Sequence, residues 1–128
     1  MHYKIETASD HLRAEVFGRE TAEQTHEFLT ALAQKALEAG MTRVLISVRN
    51  SRPIFKVEKY RISEFFKVAA SNPAYRIALV ADSDEVRASQ QYVEVLARQQ
   101  GANVRAFRAE AAALHWLRAE TTQSQEKR

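Results

Sequence analysis

Apolar and polar residues alternate in the first part of the chain. Residues 2–7 and 12–17 each carry apolar side chains at every second position: Tyr3 and Ile5 in the first segment, and Leu12, Ala14 and Val16 in the second. This period of two predicts two strands, each with one buried face. The link at Ala8-Ser9-Asp10 is short, so we expect the strands to form an antiparallel hairpin.

The next segment changes to the period of a helix. Thr21 and Gln24 have the spacing of a capping box, in which the two side chains satisfy free amide groups at a helix N-terminus. Gly40 suits the position after the C-terminus, where a left-handed backbone costs glycine little. The apolar stripe that we expect this helix to bury is Phe28, Leu29, Leu32, Ala33, Ala36 and Leu37.

Strands and helices then alternate to the end of the chain. The run from Val44 to Val48 predicts a strand buried on both faces. A second helix is expected from about Phe55 to Ala70, where Asn72-Pro73 stops it. Its core-facing residues would be Ile62, Phe65, Phe66 and Ala69. The later elements are a strand at Tyr75–Ala81, a helix that buries Val86, Val93, Leu96 and Ala97 and ends at Gly101, a strand at Val104–Phe107 and a helix at Glu110–Leu117 with Ala113, Leu114 and Leu117 inward.

The predicted order is therefore β-β-α-β-α-β-α-β-α, an α/β fold with a mixed five-stranded sheet and four helices. Successive crossovers favour right-handed parallel pairing, with helices on both faces of the sheet or mainly on one.

Composition narrows the possible classes of protein. The chain has 128 residues and no cysteine, which excludes disulfides, thiolate metal sites and thiol catalysis. No run of 18 apolar residues predicts a membrane span, and residues 1–6 lack the apolar stretch of a signal peptide. We therefore expect a cytoplasmic protein.

Positive charge is concentrated in one segment. The net charge is only +3, but the segment from Arg43 to Lys67 has seven basic and two acidic residues, a local net charge of +5. The overall excess is too small to predict nucleic-acid binding. The basic segment indicates either a docking face for an acidic partner or for phosphate groups, or an ordinary solvated helix face.

Several local sequences, together with the element order, resemble one family. They are Tyr75-Arg76-Ile77-Ala78-Leu79-Val80, Asp82-Ser83, Arg98-Gln99-Gln100-Gly101, Val104-Arg105-Ala106-Phe107 and Ala111-Ala112-Ala113-Leu114-His115-Trp116-Leu117. In these residues the chain resembles the SpoIIAA-like group of STAS domains, the domains of anti-sigma-factor antagonists. The resemblance implies one STAS-like domain over residues 1–119, followed by a frayed polar tail at residues 120–128.

The resemblance also implies a non-enzymatic partner-switching domain. In its best-known members a kinase phosphorylates a serine in the loop after the third strand, within an Asp-Ser-Ser-Gly motif. The corresponding stretch here is Arg49-Asn50-Ser51-Arg52-Pro53-Ile54, in which Ser51 matches the serine approximately and the aspartate and glycine are absent. Other members share the fold without that motif, and some are related to lipid-binding domains.

Signatures of catalysis and of cofactor binding are missing from the sequence. No glycine-rich phosphate loop and no Gly-x-Ser-x-Gly occurs, and the four histidines lack the spacing of metal ligands. Asp82 and Asp84 follow a strand, as in an acidic receiver site, but helix capping is the favoured interpretation. We therefore predict no catalytic residues, no metal and no cofactor.

The polar turn after the third strand is the candidate contact surface. Ile54 and Phe55 either form an exposed apolar pair rimmed by arginines, as in a partner site or a lipid-surface contact, or tuck under the sheet edge. Ser51 is a candidate phosphosite because helix amides and nearby guanidinium groups would hold a phosphate there; capping of the second helix is the alternative. The predicted contact residues are Arg49, Ser51, Arg52, Phe55, Lys56 and Lys59.

Two functions of different classes follow. The first is a non-catalytic regulatory or protein-interaction domain with a protein partner. The second is a binding domain for a small lipid or apolar ligand, which requires a cavity between the sheet and the helices. An enzyme is disfavoured because no nucleophile and base can be named, and homodimerisation through a sheet edge or a helix face stays open.

Overall fold

The computed structural model describes residues 1–56 and 61–119. Its elements follow the predicted order, which is confirmed. They are β1 (His2–Thr7), β2 (Leu12–Phe17), α1 (Ala22–Ala39), β3 (Arg43–Arg49), α2 (Ser63–Ala70), β4 (Arg76–Ala81), α3 (Asp84–Gln99), β5 (Val104–Ala106) and α4 (Glu110–Arg118).

The five strands form one mixed sheet in the spatial order β1-β2-β3-β4-β5. β1 and β2 are antiparallel, with Thr7 opposite Leu12 beside the tight connection, as the predicted hairpin requires. The pairs β2-β3, β3-β4 and β4-β5 are parallel. Each strand is therefore followed in space by the next strand of the chain.

This topology decides where the helices lie. Crossovers between neighbouring parallel strands are right-handed, so crossovers that advance in one direction put their helices on one face of the sheet. Side chains of α1, α2 and α3 share one core cluster with Ile46 and Leu79. α4 packs on the opposite face against Leu45 and Val80. β3 is buried from Val44 to Val48 because both of its faces are covered, as predicted.

The ends of α1 and α3 show how local sequence fixes the helices. Thr21 caps α1 and accepts a hydrogen bond from the Gln24 amide at 3.1 Å. Gly40 ends α1 with φ +66°, in the left-handed region where other residues are strained. α3 is capped by Ser83, whose hydroxyl accepts from the Val86 amide at 3.2 Å. The Ser83 hydroxyl therefore caps α3, and the Asp82 carboxylate does not.

Two predictions about the helices are wrong. The second helix begins at Ser63, and Phe55 is not helical. Arg61 has φ +55°, a left-handed conformation that an α-helix does not contain, so the helix starts after it. Leu37, predicted to be buried, is 78% exposed, because it lies about 100° round α1 from the buried row that ends at Ala36.

Arg76 and Arg118 tie the C-terminal end of α4 to the rest of the fold. Arg76 is 5% exposed, and its Nη1 donates to the carbonyls of Trp116 and Ala119 at 2.7 and 2.8 Å. Burial lowers the pKa of Arg76 from its ordinary value. Arg118 Nε donates to Asp10 Oδ2 at 2.8 Å. The last helix is thus held at its C-terminal end, where free carbonyls need donors.

Candidate ligand cavity and partner loop

The last residue of β3 and the loop that follows it, residues 49–56, carry most of the predicted contact residues and are together called the partner loop below. Arg49, Arg52, Phe55 and Lys56 are exposed, and Ser51 is half-buried. The loop is therefore accessible along most of its length. Lys59 lies outside the described residues.

The partner loop is pinned to the residue that follows Gly18 at the end of β2. The Arg19 amide donates to Ser51 Oγ at 3.1 Å, and the Arg52 amide donates back to the Arg19 carbonyl at 2.9 Å. Arg19 is 4% exposed, and its guanidinium donates to the Arg52 carbonyl and to Thr25 Oγ1. A single buried side chain therefore links the loop to α1.

A second contact ties the partner loop to the end of β4. Asn50 has φ +47°, and its amide donates to the Asp82 carboxylate, at 3.1 Å to the nearer oxygen. Asp82 thus stabilises a strained turn. The predicted role of Asp82 as a helix cap is wrong because its carboxylate faces the loop.

Ser51 was a candidate phosphosite partly because it was expected at the N-terminus of the second helix, and that expectation is wrong. Ser51 does not stand at the N-terminus of α2, because that helix begins at Ser63. Its hydroxyl accepts from the Arg19 amide and donates to the Arg49 carbonyl at 2.9 Å. The Arg49 guanidinium is itself paired with Glu15, with Nε and Oε2 3.3 Å apart. Modification of Ser51 stays a prediction, without the helix amides that would have favoured it.

A cavity of about 170 Å³ lies between the sheet and the helices α1, α2 and α3. The sheet contributes Val16, Ile46 and Leu79 to its wall, and each of the three helices contributes apolar side chains. Ile54 of the partner loop completes the wall. This is the cavity that the second function requires.

One side of the cavity reaches the protein surface between α1 and α2. Val68 lines the cavity and is 54% exposed, and Leu29 and Ala33 of α1 are half-buried wall residues. Beside them, His26 packs edge-on against Phe65, with ring centroids 5.6 Å apart. This aromatic pair joins α1 to the first turn of α2.

Five of the wall residues carry polar side-chain atoms: Arg19, Thr25, Tyr75, Ser89 and Gln90. Thr25 Oγ1 donates to the Thr21 carbonyl at 3.1 Å, and Ser89 Oγ donates to the Val86 carbonyl at 2.8 Å. Gln90 Nε2 donates to the Val80 carbonyl at 2.9 Å, but its Oε1 has no hydrogen-bond partner among the described residues. The wall is therefore suited to an apolar occupant, with a small number of fixed polar atoms.

A family-level sequence profile described as SpoIIAA-like matches residues 11–118, which is most of the chain. The chain belongs to the SpoIIAA-like family. This family includes anti-sigma-factor antagonists, and its domains mediate protein interactions. Searches of curated proteins and of solved structures gave no significant match.

Two further findings on this SpoIIAA-like protein concern metal binding and membrane insertion. Within residues 1–56 and 61–119, no group of three or more His, Asp or Glu side chains is placed to hold a metal ion. Over the same ranges, no helix has the length and the apolar character that a membrane span requires.

The sequence analysis of this SpoIIAA-like protein did not identify two polar residues of the cavity wall, Gln90 and Arg19. Gln90 is a polar residue within an apolar row of α3 that contains Val86, Val93 and Ala97 at helical spacing. A polar residue in such a row can be recognised from the sequence alone. No such pattern marks Arg19, because it follows Gly18 in a polar segment that predicts a loop between two elements. Its importance comes from contacts with residues more than 30 positions away.

Proposed function

We propose that this SpoIIAA-like protein is a non-catalytic binding domain that holds a small apolar molecule between its sheet and the helices α1–α3. The observation that carries this proposal is the cavity of about 170 Å³ with its largely apolar wall. Protein interiors are normally close-packed, and voids larger than a water molecule are few. This cavity exceeds the roughly 15 Å³ that one water needs by about tenfold.

The energetics support an occupant. The cavity is open to the surface on one side, so water can enter it, but its largely apolar wall offers that water few hydrogen bonds. A ligand that fills the space recovers dispersion contacts that the wall otherwise lacks.

The volume also limits the ligand. A cavity of about 150 Å³ lined by aliphatic and aromatic side chains binds benzene. The occupant of this cavity is therefore a compact molecule of one or two rings, or a short aliphatic chain. A whole phospholipid is too large to be enclosed.

Titration with indene, a bicyclic hydrocarbon, tests the proposal. Amide chemical shifts recorded during the titration should change at wall residues such as Val16, Leu79 and Ser89, and saturate. Ala33→Phe places a ring in the wall and should abolish saturation. The matched variant Ala39→Phe changes an exposed alanine of the same helix and should bind as the unaltered protein does. Shifts scattered over the surface, or equal binding by both variants, would count against the proposal.

A second candidate function is recognition of a protein partner by the partner loop. The observation that favours it is the 53% exposure of Phe55 between the exposed basic residues Arg52 and Lys56. The ring is supported from below by Tyr92, with centroids 6.0 Å apart. An aromatic anchor rimmed by positive charge is typical of a docking site for an acidic protein surface. The contact to Lys59 and homodimerisation stay predictions.

Charge reversal tests this second function. Arg52→Glu combined with Lys56→Glu should reduce capture of the partner at least tenfold, whereas Lys35→Glu, an exposed change on α1, should not. Partners would be identified with the unaltered protein before the variants are compared. Equal capture by the reversed protein would exclude the partner loop as the contact.

A further inference from the structure

β1 is an edge strand of the sheet, and no described strand lies on its outer side. All six of its residues pair with β2 in an unbroken register, without a bulge, and it contains no proline. The free amide and carbonyl groups of such an edge can pair with another strand, and proteins usually prevent this with a bulge, a proline or an unmatched charge. The charged residues of β1, Lys4 and Glu6, therefore decide which strand it can accept.

The backbone groups that β1 directs outward follow from its pairing with β2. In an antiparallel pair, residues that exchange hydrogen bonds alternate with residues that do not. The Ala8 amide donates to the His11 carbonyl at 2.9 Å, in the register of the hairpin. Counting back by twos from Ala8, the even-numbered residues of β1 bond to β2. The amide and carbonyl groups of Tyr3, Ile5 and Thr7 therefore point to the free edge.

The two charged side chains of β1 lie on one face of the sheet. Lys4 and Glu6 are exposed and two residues apart, Lys4 opposite Glu15 of β2 and Glu6 opposite Arg13. Glu15 is engaged by Arg13 at 3.6 Å and by Arg49 at 3.3 Å. Within residues 1–56 and 61–119, neither Lys4 nor Glu6 forms an ion pair. Each therefore brings an unmatched charge of known sign to the edge.

A second copy of β1 fits this edge in one register. A two-fold axis perpendicular to the sheet makes the two copies antiparallel and keeps every residue on its own face. With Ile5 opposite Ile5 of the second copy, the outward groups of Tyr3 meet those of Thr7, so the outward backbone groups of both strands are paired. The same register places Lys4 opposite Glu6 of the second copy, twice by symmetry. Sliding one copy by two residues in either direction puts Lys4 opposite Lys4, or Glu6 opposite Glu6, which destabilises a strand pair.

The neighbouring charges of β2 agree with this register. Across the interface, the side chains in one row would be Glu15 and Lys4 of one copy, followed by Glu6 and Arg13 of the second copy. The charges in this row alternate in sign, so every neighbouring pair is attractive.

We propose that two copies of this chain pair antiparallel through β1, with Ile5 on the two-fold axis, and form one continuous sheet. Two short strands make a small interface, so the Kd of this dimer is in the range of about 10–100 μM. The proposal is independent of the apolar ligand, because it depends on the edge strand and not on the cavity.

Lys4→Glu and Glu6→Lys test the charge pairing, with Kd measured by sedimentation equilibrium. Each variant alone has like charges at both symmetric contacts, so its Kd should rise at least about tenfold. In an equal mixture, the two glutamates of one chain face the two lysines of the other. The mixture should therefore dimerise with a Kd within about threefold of that of the unaltered protein, which also shows that both variants fold. Lys35→Glu, an exposed change on α1, should leave the Kd unchanged.

Ile5→Cys tests the register, because the chain has no cysteine of its own. Residues directly opposite in a hydrogen-bonded pair have Cα atoms about 5.5 Å apart, a distance that a disulfide spans. Thr7→Cys is the matched control, because Thr7 lies opposite Tyr3 of the second copy and the two introduced thiols are far apart. Oxidised glutathione should crosslink the first variant and not the second, as read on a non-reducing gel.

Three results would overturn the proposal. The first is a protein that stays monomeric up to about 1 mM. The second is a dimer whose Kd does not respond to Lys4→Glu or Glu6→Lys, which would place the second copy on another surface. The third is equal crosslinking of the two cysteine variants, which would exclude the register centred on Ile5.

Discussion

Filling the cavity from within should stabilise the protein, and Ala36→Leu is the substitution that does so. Ala36 is a buried residue of α1 that lines the cavity. Alanine and leucine are both strong helix formers, so the change has little effect on α1 itself. The new side chain adds three carbon atoms that extend into space the native side chains leave empty.

The expected gain follows from the burial of those atoms. Each buried carbon contributes about 0.8 kcal/mol, so three contribute about 2 kcal/mol. In a close-packed core the same substitution would cost about 1–3 kcal/mol through overpacking. The sign of the change therefore distinguishes a real cavity from a filled core. For a domain of this size the gain corresponds to a rise in Tm of about 8 °C.

Urea unfolding followed by circular dichroism measures the change, with Ala97→Leu as the matched control. Ala97 is fully buried in α3 on the same face of the sheet but does not line the cavity, so its leucine variant should be less stable by about 1–3 kcal/mol. Ala36→Leu should also weaken indene binding. Equal destabilisation by both leucine variants would refute the reasoning, because it would show that the space beside Ala36 is already occupied.

The remaining predictions concern the anchoring of α4 and the coupling of the cavity to the partner loop. Arg76→Met should lower the free energy of unfolding by about 3 kcal/mol, measured in urea, because two carbonyls of α4 lose a charged donor; a loss below about 1 kcal/mol would contradict this. The hydrogen bond from His11 lowers the pKa of the Asp10 carboxyl from its ordinary value, so its contribution to stability is complete above about pH 4 and is lost as the pH falls through the lowered value. The stability deficit of Asp10→Asn should therefore shrink in acid, and a deficit that is constant between about pH 6 and pH 2 would contradict the assignment. Indene should shift the amide signals of Ile54 and Ser51, since Ile54 is part of the wall; an unperturbed loop at saturation would exclude coupling.

A matched control accompanies the Arg76 experiment. Arg98 on α3 is exposed and lies 3.5 Å from Glu94, an ion pair of the kind that contributes less than about 1 kcal/mol. Arg98→Met should therefore leave the urea midpoint almost unchanged. An equal loss from both variants would mean that the effect comes from removing positive charge in general.

The strands and most helices were predictable because their signals are local. The alternation around Ala14, the β-branched run at Val44–Val48 and the caps at Thr21 and Gly40 each fix an element within a few residues. The start of α2 was not predictable because it depends on the left-handed backbone of Arg61, a conformation that arginine adopts rarely.

The site was only partly predictable, for a different physical reason. The partner loop was found from charge and from its place after β3, and the structure decides the open alternative for its apolar pair: Phe55 is exposed, whereas Ile54 lines the cavity. The cavity results from the distances between three helices and the sheet, which apolar periodicity does not encode. An apolar stripe shows which side chains face inward, but it does not show whether they meet.

Diffraction from a crystal pressurised with xenon would test the apolar cavity most directly, because xenon enters dry apolar cavities and scatters strongly. The account predicts a xenon peak between α1 and the sheet, within van der Waals contact of Leu32, Ile46 and Leu79. A map that shows these side chains packed against one another, with no xenon between them, would contradict it.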